Sequence, residues 1–235
     1  LHGGIWDGVT NALSDRFTVR RVDLPGHGRS PLMGGLNDID MLADALARTA
    51  PRGAHWIGWS LGGSACLALA ARRPELVERL VLVATTPSFV VRNGWRAGQT
   101  AVTLEAFSRD LATDFRGAVF RFLSLQVRGD AHAREVLRDL KAKVASRGMP
   151  TRLALDKGMR LLNATDLRER AGDVRAETLV VGGGRDRLTP PAASEWLAQE
   201  IPAARLLTIE DAGHAPFLTH TGRFSAEVAR FLGPQ

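Results

Sequence analysis

The apolar positions of this chain fall into short runs, separated by longer stretches with the period of an amphipathic helix. The runs at 17–24, Ala54–Trp59 and 77–84 predict strands, because each is short, apolar and bounded by turn-forming residues. The segments 38–49 and Leu61–Arg72 between them predict helices. This alternation predicts an α/β fold with a mostly parallel sheet, helices on both faces and right-handed crossovers.

The pattern changes between residues 89 and 165, where helical periodicity continues without a strand signal. The helices predicted there are 103–113, Phe115–Gln126, 131–146 and 151–163. Strand runs resume at 178–181 and Ala204–Ile209. We therefore divide the chain into a core of residues 1–88 and 166–235 and an all-helical cap of residues 89–165. A cap inserted at this point is expected to form a lid that supplies a pocket for substrate.

A serine stands at the junction of a predicted strand and a predicted helix, within residues 58–63 (GWSLGG). In this context G-x-S-x-G predicts a nucleophile elbow, in which Ser60 is held in a strained conformation with its hydroxyl exposed. We expect Gly58 and Gly62 to be required because a Cβ there would collide where strand and helix cross. The N–H of Leu61, at the helix start, would point toward a developing oxyanion. The alternative is a glycine-rich turn with an ordinary N-cap serine.

A serine nucleophile requires a base, and the base requires an acid that orients it. The expected chain order after an elbow serine is acid, then histidine. Asp186 follows the strand 178–181 and His214 follows Ala204–Ile209, so both are predicted at the carboxyl edge of the sheet, where such folds build their sites. Asp211 is the rival acid, but it precedes His214 by only three residues and is expected to cap the turn.

Composition and residue spacing limit the compartment, membrane spans, cofactors and metals that we expect for this protein. The single cysteine, Cys66, excludes an internal disulfide and is expected to be a small buried residue in a reducing compartment. No run approaches 18 apolar residues, so we expect no membrane span and a cytoplasmic protein. The glycines at 182–184 lack G-x-G-x-x-G spacing, and no cluster has zinc-ligand spacing, so we expect neither cofactor nor metal. His220 is expected to pack or hydrogen-bond locally.

The net charge of +6 belongs to the cap. Residues 89–165 hold 14 basic and 7 acidic residues, whereas the remainder holds 17 and 18. Arg134, Arg138 and Lys141 recur at i, i+4 and i+7 and so form one stripe of a helix. The stripe is either a solvated face or a docking surface for an acidic partner. Nucleic acid is disfavoured because no aromatic platform accompanies the charges.

Several segments together resemble a known family. Residues 22–30 (VDLPGHGRS), 58–63 (GWSLGG) and 214–217 (HAPF), with the cap run 121–126 (RFLSLQ), are similar to the pimeloyl-[acyl-carrier protein] methyl ester esterases of biotin synthesis. The resemblance covers nearly the whole chain, and the tryptophan beside the nucleophile and the cap run are its specific part. It implies the α/β-hydrolase fold and a serine carboxylesterase whose partner is an acyl-carrier protein bearing a pimeloyl methyl ester.

The resemblance also assigns residues that bind the substrate or its carrier. Lid arginines of the family grip the acyl-carrier protein and its phosphopantetheine arm, and two phenylalanines line the acyl channel. The substrate-binding residues implied here are Trp59, Phe107, Phe122, Arg121, Arg134, Arg138 and Lys141. Ordinary cap core is the alternative role for the two phenylalanines. Gly117 stands where the family can carry another arginine, so one anchor is missing unless Arg116 replaces it.

The first residues depart from the family. Leu1 to Gly4 (LHGG) superficially resemble its His-Gly oxyanion motif, but Trp6 follows too soon. We expect this segment to align after that motif. The first strands and the second oxyanion donor would then be missing, and the chain would be part of a longer protein.

The expected reaction is a two-step acyl transfer. Ser60 attacks the ester carbonyl, His214 serves as base, Asp186 orients it and the Leu61 N–H binds the oxyanion. Two other classes stay open: a general small-ester or C–C bond hydrolase of the same fold, and a non-catalytic protein that uses the site as a ligand pocket. We expect the protein to act as a monomer.

Overall fold

The computed structural model describes residues 1–233, the side chain of Arg147 excepted. In that part of the chain, four parallel strands pair in sequence order. They are β1 (Ala54–Trp59), β2 (Val77–Val83), β3 (Glu177–Gly183) and β4 (Ala204–Ile209). Strands β1 and β4 coincide with the predicted ranges, and each successive pair is joined by at least one helix, as the alternation of the sequence predicts.

Ten α-helices accompany the sheet in the described residues. They are α1 (Asp7–Leu13), α2 (Ile39–Ala47), α3 (Leu61–Arg72), α4 (Ala101–Thr113), α5 (Phe115–Gln126), α6 (Ala133–Arg147), α7 (Arg152–Ala164), α8 (Pro191–Glu200), α9 (Pro216–Thr219) and α10 (Thr221–Leu232). Short 3₁₀ helices span Gly3–Trp6, Pro74–Leu76 and Arg168–Asp173. Two helices begin one residue later than predicted because Asp38 and Thr151 are N-caps, whose side chains accept from the N–H groups of Met41 and Ala154.

The strand predicted at 17–24 is wrong. This segment is irregular, and none of its residues pairs with the four strands described. Val19 and Val22 are each 37% exposed. A strand is stabilised by its ladder partners, so an apolar run with β-branched residues does not form one where no neighbouring strand lies beside it.

The sheet separates two hydrophobic cores, because successive side chains of β2 point to opposite faces. Leu80 and Leu82 face a core shared with α2 and α3, whereas Val81 and Val83 face a core shared with α1, α9 and α10. All four side chains are fully buried. At about 1.5–3 kcal/mol for each large apolar side chain removed from water, these layers fix the strands whose ends carry the site.

Helices α4 to α7 form the insertion between β2 and β3. Its two ends meet, because Ser88 and Asp166 form an isolated bridge and the Leu167 N–H donates to the Pro87 carbonyl at 2.8 Å. Helices α4 and α5 form a small core, against which side chains of α7 also pack. Helices α6 and α7 each bury a leucine in one of the two cores beside the sheet, so the insertion rests on both sides of it.

Candidate active site

Ser60 stands at the turn between β1 and α3 in a strained backbone conformation. Its φ is 54° and its ψ is −122°, a combination that residues with a side chain rarely adopt. Its N–H donates to the Val83 carbonyl at 3.0 Å, which ties the turn to β2. Its side chain makes no capping hydrogen bond to α3. The turn therefore has the geometry of a nucleophile elbow and not that of an ordinary N-cap.

The glycines of the elbow differ in the space that a Cβ atom would have at each position. A Cβ on Gly58 would lie 2.7 Å from the Gly62 carbonyl oxygen, as predicted. The prediction for Gly62 itself is wrong, because a Cβ there would meet nothing within 4 Å. Gly63 is the crowded position instead: its Cβ would collide with the Thr85 side chain beyond the end of β2. The close approach between α3 and the sheet falls one residue later than the motif suggests.

Asp186 and His214 meet on the loops that follow β3 and β4. Asp186 Oδ2 lies 2.7 Å from His214 Nδ1, and the two residues are 5% and 2% exposed. Thr189, which the sequence analysis missed, also donates its hydroxyl to Asp186 Oδ2 at 2.7 Å and lies 3.2 Å from His214 Nδ1. The N–H groups of Leu188 and Thr189 donate to Asp186 Oδ1 at 2.8 and 3.0 Å. The D-x-x-T spacing was the available signal, because Asp side chains commonly accept from N–H groups two and three residues on.

These hydrogen bonds keep Asp186 ionised. Burial alone would raise the pKa of its carboxyl group, but the neighbouring His214 and the hydrogen bonds from Thr189 lower it below its ordinary value overall. The carboxylate can therefore hold His214 with Nδ1 protonated, which leaves Nε2 free to accept a proton.

Asp211 does not contact His214. Its carboxylate is 3.2 Å from His220 Nε2 and half exposed, and the hydrogen bond from His220 lowers the pKa of Asp211. His220 also hydrogen-bonds to Thr219 and lies 3.6 Å from Asp130 of the insertion. The two aspartates therefore serve different histidines.

The elbow and the His214 loop are in direct contact. The indole N–H of Trp59 donates to the His214 carbonyl at 2.7 Å. The Ser60 side chain is not engaged in capping α3, and catalytic hydrogen bonds are often long before substrate binds. Leu61 is the first residue of α3, so its N–H has no intrahelical acceptor and is available to an oxyanion.

Aromatic side chains of the core pack beside this contact, and one helix of the insertion approaches the elbow. Trp6 stacks on Phe217 with ring centroids 4.0 Å apart. Phe107 and Phe122 contact each other at 5.5 Å, and Phe107 also packs against the small core of α4 and α5. A Cβ on Gly158 of α7 would lie 3.7 Å from Leu61 Cδ2, so α7 approaches the start of α3. The acyl-channel role of the two phenylalanines stays a prediction.

The basic residues to which the family resemblance assigns carrier binding differ in their surroundings. Arg121 on α5 forms ion pairs with Asp110 at 3.2 Å and Asp114 at 3.1 Å. Arg134, Arg138 and Lys141 on α6 are exposed. The side chains of Lys141 and of Arg116 lie over the Phe120 ring from α6 and α5, at 5.5 and 5.6 Å from its centroid. At Gly117 the Asp114 side chain occupies the space that a Cβ would need.

Cys66 is buried on α3, and burial raises the pKa of its thiol to about 12. It is therefore a structural residue and not a second nucleophile. Within residues 1–233, no group of three or more His, Cys, Asp or Glu side chains has a geometry suited to a metal ion. None of the helices in that range is long and apolar enough to span a membrane.

Comparisons with known proteins agree with this geometry. A family model described as the alpha/beta hydrolase fold matches residues 2–221. A protein from Stenotrophomonas maltophilia named pimeloyl-[acyl-carrier protein] methyl ester esterase is 42% identical over 232 residues, covering 99% of this chain and 89% of that protein. One of the same name from Nitrosomonas europaea is 40% identical over 224 residues, covering 95% and 88%. The chain belongs to the pimeloyl-[acyl-carrier protein] methyl ester esterase family.

Solved structures bear out the same fold. An enol-lactonase from Burkholderia xenovorans superposes with a TM-score of 0.83 at 26% identity, covering 98% of this chain and 86% of the other. An esterase from Exiguobacterium antarcticum superposes with a TM-score of 0.88 at 20% identity, covering 98% and 87%. The α/β-hydrolase fold and the family resemblance are thus confirmed, and the protein is a carboxylic ester hydrolase.

Proposed function

We propose that this esterase hydrolyses the methyl ester of pimeloyl-[acyl-carrier protein] in biotin synthesis, using Ser60, His214 and Asp186 as a catalytic triad. The observation that carries the mechanism is the buried 2.7 Å contact between Asp186 and His214, on a loop that touches the elbow of Ser60. The substrate is supported by the printed names of relatives that are about 40% identical over nearly the whole chain.

Each step uses a group in the site. His214 Nε2 accepts the proton of Ser60 Oγ as that oxygen attacks the ester carbonyl, while Asp186 stabilises the imidazolium. The Leu61 N–H donates to the oxyanion, and one such donor contributes about 10²- to 10³-fold in kcat. The tetrahedral intermediate expels methanol, which takes its proton from His214. Water then attacks the acyl-enzyme with His214 as base, and collapse releases the carrier-bound acid and restores Ser60.

We assign residues 89–165 to the lid and its α6 face to carrier docking. Arg134, Arg138 and Lys141 are exposed and follow one another along that helix. An acidic partner would reach Arg134 and Lys141 without displacing a carboxylate, and at Arg138 it would compete only with Asp139, 3.6 Å away. Arg121 is already engaged by Asp110 and Asp114, so a phosphate or carboxylate would have to compete for it. An exposed charged face orients a partner and raises its association rate. A carrier-bound substrate is also consistent with a cytoplasmic monomer.

The test compares two substrates in three forms of the protein. The wild type should turn over the carrier-bound methyl ester with a far higher kcat/KM than a short free methyl ester. Ser60→Ala should abolish both activities with the fold unchanged. Arg134→Glu combined with Arg138→Glu should raise KM for the carrier-bound ester and leave the free ester unaffected. High salt should weaken the effect of the charge reversal, because exposed charges are screened beyond about 8–10 Å.

The second candidate is a general small-ester or C–C bond hydrolase. It is favoured by the internal ion pairs of Arg121 and by the structural similarity to the enol-lactonase. Equal kcat/KM for the carrier-bound and free esters, together with no effect of the charge reversal, would establish this alternative in place of our proposal.

A further inference from the structure

Trp59 is the last residue of β1 and immediately precedes the nucleophile. Its backbone pairs with Val83 of β2, and the Ser60 N–H donates to the same residue. Side chains alternate along β1, so Ile57 and Trp59 face the core that contains α9 and α10, whereas Trp56 faces the opposite core. The residue before the nucleophile is therefore directed toward the side of the sheet on which the His214 loop lies.

The Trp59 indole is bound to that loop by a hydrogen bond and by ring contacts. Its N–H donates to the His214 carbonyl at 2.7 Å, across 155 residues of sequence. Its ring centroid is 5.5 Å from that of the His214 imidazole and 5.2 Å from that of Phe217, in an edge-on arrangement with Phe217. Tryptophan has one hydrogen-bond donor and no acceptor in its side chain, so this contact uses its entire polar capacity.

His214 is thus held at two points by two different elements. Asp186, from the loop after β3, binds Nδ1 and sets the orientation of the ring. Trp59, from the end of β1, binds the backbone carbonyl and sets the position of the loop that carries the ring. Only the second hold starts from the residue bonded to Ser60, so it links the nucleophile directly to the loop that carries the base.

We propose that Trp59 is a positioning residue that keeps His214 in register with Ser60, an inference that rests on the proposed triad. It differs from the substrate-binding role that the family resemblance implies. A substrate contact would act mainly on KM, whereas a hold on the base acts on kcat, because proton transfer requires His214 within hydrogen-bond reach of Ser60.

The test replaces Trp59 by phenylalanine and uses Trp56→Phe as the matched control. Trp56 lies on the same strand and also donates its indole N–H to a backbone carbonyl, that of Leu76 at 3.1 Å, but on the other face of the sheet. Trp59→Phe should lower kcat by about 10- to 100-fold, the effect of misplacing a reacting group by roughly 1 Å, with KM changed less than about 2-fold. Trp56→Phe should leave both constants near wild type.

A readout without substrate separates this inference from the proposed function. The proton between His214 Nδ1 and Asp186 should give a downfield NMR resonance in the wild type, and it should broaden through solvent exchange in Trp59→Phe but not in Trp56→Phe. The Trp59 indole proton of the wild type should be protected from exchange, which is measurable even if the variant does not fold. An inactive wild type would refute the proposed function and leave these NMR tests of Trp59 intact.

Three results would overturn the inference. A raised KM with unchanged kcat would make Trp59 a substrate contact. Equal losses in Trp59→Phe and Trp56→Phe would make it a packing residue of the strand. A rapidly exchanging Trp59 indole proton would show that the bond to the His214 carbonyl is absent in solution.

Discussion

Replacing Thr189 by valine should destabilise the protein in a pH-dependent manner. The Asp186 carboxylate accepts four hydrogen bonds, and the Thr189 hydroxyl supplies one of the two on Oδ2, at 2.7 Å. Thr189 is 2% exposed. Valine keeps the shape of the side chain and removes the donor, so the loss is mainly that of one buried hydrogen bond to a charged group, about 1.5–3 kcal/mol.

The sign of the pH dependence follows from the pKa of Asp186. That pKa is lowered in the folded protein, with burial opposing His214 and the Thr189 hydrogen bonds. A lowered pKa contributes stability above the unfolded-state value of about 4, and this contribution is lost as the pH falls through the folded-state value. Removing the hydroxyl raises the folded-state pKa of Asp186. The difference in free energy of unfolding between the wild type and Thr189→Val should therefore be largest at neutral pH and decrease in acid.

Urea unfolding at several pH values measures this difference in free energy of unfolding. Thr178→Val is the matched control, because the buried Thr178 hydroxyl donates to the neutral Ala176 carbonyl at 2.9 Å. The control should lose about 0.5–1.5 kcal/mol, equally at every pH. Thr189→Ser should recover most of the wild-type stability. A pH-independent loss in Thr189→Val, equal to that of the control, would refute the reasoning that the hydroxyl stabilises a charge.

Three further predictions concern the elbow, the acid and the thiol. Gly63→Ala should lower the free energy of unfolding by about 1–3 kcal/mol through overpacking, whereas Gly62→Ala, at an uncrowded position, should change it little. If urea unfolding showed a larger loss for Gly62→Ala, Gly63 would not be the crowded position. Asp186→Asn should lower kcat by about 10³- to 10⁴-fold, and Asp211→Asn should lower it by less than about 2-fold. A large loss of kcat in Asp211→Asn would show that Asp211 is the acid partner of His214. Cys66 in the folded protein should resist iodoacetamide at pH 7 with activity retained, because burial raises the pKa of its thiol to about 12; rapid alkylation, detected by mass spectrometry, would show that the thiol is accessible.

The sequence predicts most of the sheet because its strands have sharp local boundaries. The ranges Ala54–Trp59 and Ala204–Ile209 are strands in the structure, as the apolar runs indicate, and Leu61–Arg72 is the helix predicted. The segment 17–24 also contains apolar and β-branched residues but has no partner strand among the described residues. Pairing is a non-local property, so periodicity along one segment does not reveal it.

The site was predictable to the level of motif order and not of side-chain direction. Positions after strands identify Asp186 and His214 as neighbours, because parallel strands end at one edge of the sheet. That the hydroxyl of Thr189 turns toward Asp186, and the indole of Trp59 toward the His214 loop, depends on how two separate loops pack. Gly62 and Gly63 differ for the same reason: the G-x-S-x-G spacing does not specify which residue of α3 faces Thr85.

The cap shows why a charge count alone does not identify a docking surface. Counted along the sequence, Arg121 and Arg134 contribute equally to the excess of positive charge. In the structure Arg121 is paired with two carboxylates, those of Asp110 and Asp114, whereas Arg134 is exposed and takes part in none of the ion pairs of the described side chains. Pairing cancels most of the field of Arg121 beyond a few ångströms. In the docking proposed above, an approaching acidic carrier would therefore be attracted more strongly by Arg134 than by Arg121. Arg121 would gain importance only at contact, when the carboxylates of Asp110 and Asp114 could be exchanged for those of the partner.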